Sequence, residues 1–147
     1  MNERGLAEEL LSSAHVIAVF GYSLDPTRPS NSVSRYLRSQ GYRIVPVNPL
    51  LRGATIERER AYDRLVDIPT EIRVDVVDVF RRGEFLDAVV DDAIAAGSQA
   101  IWFQLGLGNE EAARRAEAAG MRVVWDRCTA IEHRRLERER RVRAGAT

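Results

Sequence analysis

The sequence predicts an α/β domain, a Rossmann-like, doubly wound, five-stranded parallel sheet with helices on both faces. Three observations predict it. Short apolar runs alternate with segments of helical spacing, the pattern of right-handed βαβ units. The runs are continuous rather than alternating, as strands covered on both faces require. The helical segments close on Gly41, Gly97 and Gly120, the residue favoured just past a helix end. A chain of 147 residues is the usual size of one domain. No repeat, low-complexity stretch or linker divides it. The expectation is a single domain over 1–147, with its core at about 12–136 and a charged C-terminal helix and tail over 130–147.

MNERGLAEELL reads as a short capping helix, since it has neither a basic flank nor a signal-like apolar core. Val16 to Phe20 is the first strand. Ser32 to Gln40, with Val33, Tyr36 and Leu37 at helical spacing, is the first crossover helix. Arg43 to Val47 is the second strand, and its Pro46 points to a strand end or bulge. The stretch from Asn48 to Pro69 is irregular, with a short helix expected at Tyr62 to Val66. Val74 to Phe80 is the third strand and Glu84 to Ala96 the next helix. Gln99 to Phe103 is the fourth strand, and Asn109 caps a helix running through Ala119. Met121 to Trp125 is the fifth strand, and Thr129 to Arg143 a charged final helix.

Composition narrows the function. Hydrophobic residues make up 45% and charged residues 30%, ordinary for a soluble protein. No apolar run approaches a membrane span, so a cytoplasmic protein without membrane attachment is expected. One cysteine, Cys128, excludes an internal disulfide and a cysteine metal cluster. All 22 basic residues are arginine, which excludes a lysine Schiff base or a P-loop lysine. The net charge of +0 gives no overall push toward nucleic acid.

In an open α/β sheet, ligands sit at the carboxyl ends of the strands where strand order reverses. The residues that follow the strands are therefore the site candidates. They are Gly21-Tyr22-Ser23, Asn48-Pro49, Phe80-Arg81-Arg82 and Leu105-Gly106. Gly21 permits a sharp turn and close approach to a ligand. Pro29 suits the first helical turn, and Ser30 or Asn31 can cap the helix, leaving free backbone N–H groups for a phosphate. Arg28, just before that helix, adds a bidentate phosphate contact.

A dinucleotide reading meets two obstacles. The G-x-G-x-x-G fingerprint is missing, with Ser23 and Asp25 where its glycines would fall. The second strand ends in Asn48 rather than in an acid that would bind a ribose diol. An uncharged amide suits a ribose already carrying a phosphate, and coenzyme A carries one at the 3′ position.

VFGYSLDPTRPSN, YRIVPVNP, VDVVDVFRR, IWFQLG and WDRC, in this order, resemble the small stand-alone CoA-binding proteins. Their fold is like that of the CoA-binding domain of the succinyl-CoA synthetase alpha subunit. The resemblance runs from about His15 to Leu136. It implies coenzyme A held at the carboxyl edge of the sheet. It places Gly21, Tyr22 and Ser23 in the nucleotide loop, and Arg28, Pro29, Ser30 and Asn31 at the helix start. Val47, Asn48 and Pro49 fall on the nucleotide side, Phe80 and Arg81 in the third-strand loop, and Gln104, Leu105 and Gly106 near the pantetheine path. The chain departs from the family at Tyr22, where relatives often carry a small residue, and at Thr27, where they often carry glycine. A bulky Tyr22 either stacks on adenine or crowds the site. The second synthetase domain, with its phosphorylated histidine, is absent from this sequence, so ligase chemistry is not expected of the chain alone.

Other groups are weighed against structural roles. Asp75 and Asp78, three apart on one strand, point to opposite faces and form no acid/base pair. Asp78 near the switch point either meets a ligand or, more in keeping with its position, braces a neighbouring loop. Cys128 and His133 invite a nucleophile–base reading, which nothing else in the sequence supports; a buried inert cysteine is commoner, and a disulfide with the CoA thiol is a further option. His15 lies at the wrong end of its strand for the site. The tail HRRLERERRVR interleaves glutamates with its arginines and has no aromatic to stack a base, so a solvated or partner-packing helix with a Glu137–Arg141 pair is expected. Arg81, and less so Arg82, can neutralise a 3′-phosphate or pyrophosphate. The reading is a non-catalytic CoA or acyl-CoA binding module, alone, as a homo-oligomer or beside a catalytic subunit. The alternatives are an NADP-type redox-sensing module and, below it, nucleic-acid binding through the arginine tail.

Overall fold

The computed structural model describes residues 3–145. One parallel sheet, order β2-β1-β5-β6-β7, forms the middle layer. Its strands are β1 (Val16–Phe20), β2 (Arg43–Val47), β5 (Val76–Val79), β6 (Ala100–Phe103) and β7 (Arg122–Val124). A two-residue hairpin, β3 (Thr55–Ile56) with β4 (Glu59–Arg60), lies between β2 and β5 in the chain. The helices are α1 (Glu3–Ser13), α2 (Pro29–Ser39), α3 (Leu86–Ala95), α4 (Glu110–Ala118) and α5 (Thr129–Gly145). The expected fold class is the one observed.

Alternation along each strand sorts side chains between two cores. Ile17 and Val19 of β1 join Leu10, Leu11, Leu37 and Leu136, which puts α1, α2 and α5 on one face. Ala18 of β1 joins Val89, Val90, Ala93 and Ala116, which puts α3 and α4 on the other. Because both faces are covered, the strands carry no polar alternation, and burying Ile17, Ile44 and Ile101 contributes about 1.5–3 kcal/mol per side chain.

Boundaries differ where side chains take over from pattern. Helix α2 starts at Pro29, not Ser32, because Pro29 occupies its first turn. A single 3₁₀ turn over Gly83–Phe85 precedes α3. Asn109 caps α4 as expected, its Oδ1 accepting from Ala112 N at 2.7 Å. Strand β2 lies at the sheet edge, where Pro46 loses no ladder bond, and its carbonyl accepts from Tyr62 N at 3.0 Å. The expected helix at Tyr62 to Val66 is replaced. Tyr62 bridges to Val47 and a 3₁₀ turn follows at Leu65–Asp67. The tail helix α5 packs rather than floats. Arg140 bonds Ser12 Oγ at 2.9 Å, Arg4 pairs with Glu139 at 2.6 Å, and Arg134 lies over the Tyr36 ring at 4.2 Å. Glu137 pairs with Arg140 at 2.9 Å rather than with Arg141.

The amino end of the sheet is tied by one carboxylate. Asp75 Oδ2 accepts from the N–H of His15 at 2.8 Å and of Val16 at 2.9 Å, across 60 and 59 residues of chain. Asp75 therefore has a structural role, and His15 takes part in it through its backbone. Asp75→Ala leaves two strand-entry donors without a partner, so urea denaturation should show a loss of about 1–3 kcal/mol. An unchanged midpoint would show that water replaces the carboxylate at no cost.

Candidate functional site

Strand β2 lies to one side of β1 and strand β5 to the other. The chain therefore reverses direction across β1, and a crevice opens between the loops after β1 and β5. A cleft of about 630 Å³ occupies it, within the range of small-molecule sites. Its wall follows the carboxyl edge of the sheet. Asn48 and Leu50 come from the loop after β2, and Gly21, Ser23, Arg28, Pro29 and Ser30 from the loop after β1 and the start of α2. Phe80, Arg81 and Arg82 follow β5. Gln104, Leu105 and Leu107 follow β6, and Cys128 and Ile131 follow β7.

The loop after β1 is built by side chains that return to its backbone. Gly21 N donates to Val47 O at 2.8 Å, ending the β1–β2 ladder. Gly21 then takes φ +86, and a Cβ there would stand 3.2 Å from Arg81 Cγ. Ser30 and Asn31, both buried, are not caps. Ser30 Oγ accepts from Ser23 N at 3.0 Å, and Asn31 Nδ2 donates to Ser23 O at 2.9 Å. The N-cap is Arg28, without a side-chain cap bond, and Arg28 O accepts from Asn31 N and Ser32 N. Pro29 has no N–H, so the helix start offers the cleft chiefly the amide of Ser30.

Two expected nucleotide residues turn inward. Tyr22 is only 2% exposed, packs in the core, and its hydroxyl accepts from Arg38 at 3.2 Å. Its ring neither stacks in the cleft nor crowds it. Val47 is fully buried and reaches the loop only through its carbonyl. Asn48 lines the cleft, but its amide is engaged, with Nδ2 donating to Tyr22 O at 2.9 Å and Oδ1 accepting from Leu50 N at 3.0 Å. Pro49 lines a separate hollow beside Arg52 and Tyr62. Gly106 turns away from the cleft wall, its N–H donating to Asp126 Oδ1 at 2.8 Å.

Charge is distributed unevenly. Among the described residues, Arg28, Arg81 and Arg82 line the cleft and no carboxylate does. The Arg28 side chain is largely exposed, with Nε 3.9 Å from Asp25 Oδ2. Asp25 is held below the ordinary carboxylate range by hydrogen bonds from the backbone and hydroxyl of Thr27. The Arg81 guanidinium lies 5.1 Å from the Phe85 ring centre. Leu105, Leu107, Ile131 and Cys128 make the β6–β7 end apolar. Val33, Leu50, Leu107 and Ile131 also line the cleft, beyond the positions the sequence pointed to. Val33 and Ile131 lie on helices, where position along the sheet edge cannot be read from order in the chain.

Asp78 does not face a ligand. It is fully buried and accepts from Gln104 Nε2 at 2.5 Å and Thr129 Oγ1 at 3.1 Å. Burial pushes its carboxyl up to about 7 against the two hydrogen bonds. Cys128 lines the cleft, and His133 is buried between two tyrosines. Burial pushes the thiol up, away from thiolate. His133 Nδ1 bonds the Tyr36 hydroxyl at 2.7 Å, and its ring stands edge-on between Tyr36 and Tyr42. Among the described residues no cluster of three or more His, Cys, Asp or Glu could hold a metal ion.

Residues 15–134 match the family described as the CoA binding domain. This chain belongs to that family. It is 35% identical over 126 residues, 86% of its own length and 90% of the relative's, to the uncharacterized protein YneT of Bacillus subtilis. The Thermus thermophilus protein called cell-free ID.343 superposes with a TM-score of 0.84 at 40% identity, over 92% of this chain and 99% of that one. A dinucleotide forming acetyl-coenzyme A synthetase of Ca. Korarchaeum cryptofilum, in complex with phosphate and ADP, matches with a TM-score of 0.61 at 32% identity. That match covers 74% of this chain and 25% of the synthetase.

Asp78 also makes the fold pH-dependent. Its folded pKa, about 7, lies above the ordinary 3.8. The native state therefore binds more protons between these values, and the stability Asp78 contributes is full below about pH 4 and falls as pH rises toward 7. Asp78→Asn removes this term. Urea unfolding from pH 5 to 8 should show the Asn protein gaining on the wild type by an amount on the order of 1–3 kcal/mol. Parallel curves would mean that Asp78 stays ionised throughout.

Proposed function

We propose that this chain is a non-catalytic CoA- or acyl-CoA-binding module. The nucleotide lies across the β1–β5 crevice and the pantetheine arm runs along the sheet edge toward Cys128. The observation that carries this reading is the cleft itself, whose arginines come from two loops and which, among the described residues, no carboxylate lines. Arg28, Arg81 and the Ser30 amide face the phosphates, and the apolar β6–β7 end takes the less polar arm. Gly21 and Ser23 shape the nucleotide loop, and Asn31, Asn48 and Tyr22 brace it from behind. Family membership supports the ligand class.

The non-catalytic part rests on three groups. Asp78 is enclosed, burial pushes the Cys128 thiol up, and His133 is engaged by Tyr36. The module acts inside the cell as a sensor of CoA status or as a subunit beside a catalytic partner. The second role is supported by the synthetase match, in which a domain like this one is a quarter of a larger enzyme.

Calorimetry tests the reading. CoA should bind about tenfold or more tightly than dephospho-CoA at low salt, and NADPH should not displace it. Arg28→Ala and Arg81→Ala should each weaken CoA about tenfold while leaving the fold intact by circular dichroism. Equal binding of CoA and dephospho-CoA would remove the 3′-phosphate contact, and displacement by NADPH would favour a dinucleotide-binding module.

A further inference from the structure

Gln104 is 4% exposed, yet it lines the cleft where the β5 and β6 loops meet. Its Nε2 donates to Asp78 Oδ1 at 2.5 Å and to Thr129 Oγ1 at 2.9 Å. Thr129 in turn donates to Asp78 Oδ2 at 3.1 Å. Both amide hydrogens are thus directed inward. With Asp78 ionised, its carboxylate sets this orientation, because turning Oε1 toward it would oppose two acceptors. No described residue donates to Gln104 Oε1. Since no buried side-chain oxygen or nitrogen of the described residues lacks a partner, this oxygen is not enclosed, and the cleft is the space it meets.

The result is a fixed acceptor in a wall otherwise made of Leu105, Leu107, Ile131 and Cys128. An acceptor held in an apolar wall favours a ligand that brings a donor, because a ligand without one strips its water and returns nothing. The pantetheine arm of CoA carries two secondary amides, each with one N–H. We propose that the Gln104 side-chain carbonyl is a specificity contact that accepts an amide N–H from this arm, with Asp78 and Thr129 as positioning residues behind it. The inference rests on the CoA reading of the cleft. It goes beyond it by assigning the buried triad to recognition of the arm rather than to folding alone.

Two ligands separate these roles. CoA carries the arm, and adenosine 3′,5′-bisphosphate carries the nucleotide without it. Gln104→Leu should weaken CoA about tenfold and leave the bisphosphate unchanged. Asp78→Asn keeps the volume and allows Gln104 to turn over. It should weaken CoA severalfold, again without affecting the bisphosphate, and it decides the matter if Gln104→Leu does not fold. Equal loss for both ligands would make the triad merely structural and overturn the proposal, as would unchanged binding of both. Wild-type protein that binds the bisphosphate as tightly as CoA would also overturn it. Wild-type protein that binds neither ligand would sink the CoA reading itself, and this contact with it.

Discussion

The carboxyl edge of this domain depends on one backbone reversal at Gly21. The β1–β2 ladder ends there, on the Gly21 N–H to Val47 O bond. The left-handed conformation at Gly21 then sends the next side chain, Tyr22, into the core and Ser23 back toward α2. A side chain at position 21 would be strained at that φ and would press on Arg81. The same turn therefore positions the β1 loop, the start of α2 and an arginine of the β5 loop.

From that turn the edge of the sheet acquires a gradient. The β1 and β5 loops line the cleft with arginines and, among the described residues, with no carboxylate, and the β6–β7 end presents leucine, isoleucine and a thiol that burial pushes up. Side-chain polar braces hold the loops that carry this gradient. Ser30, Asn31 and Asn48 hold the first loop, and Asp78 with Thr129 holds Gln104. Each brace satisfies a buried polar group while fixing a loop. Preorganisation of this kind lowers the ordering cost of binding.

The architecture was legible because strands covered on both faces read as apolar runs and the intervening helices end on glycine. The loop positions were legible because a parallel sheet collects its ligand at one edge. Side-chain direction was not. Ser30 and Asn31 have the chemistry of caps, but Pro29 already occupies the first turn, so their side chains serve Ser23 instead. Tyr22 looks like a stacking residue until the turn at Gly21 sends it inward. Asp78 and Gln104 are 26 residues apart, and only the β5–β6 pairing brings them into contact. The hairpin over β3 and β4 left no periodic signal, since its strands are two residues each.

The most direct test of the central claim is a crystal structure of the protein grown with CoA. The account predicts density across the β1–β5 crevice, phosphates beside the Ser30 amide, Arg28 and Arg81, and the thiol end near Cys128. Density in the hollow beside Arg52 and Tyr62 instead, with the crevice holding only solvent, would contradict it.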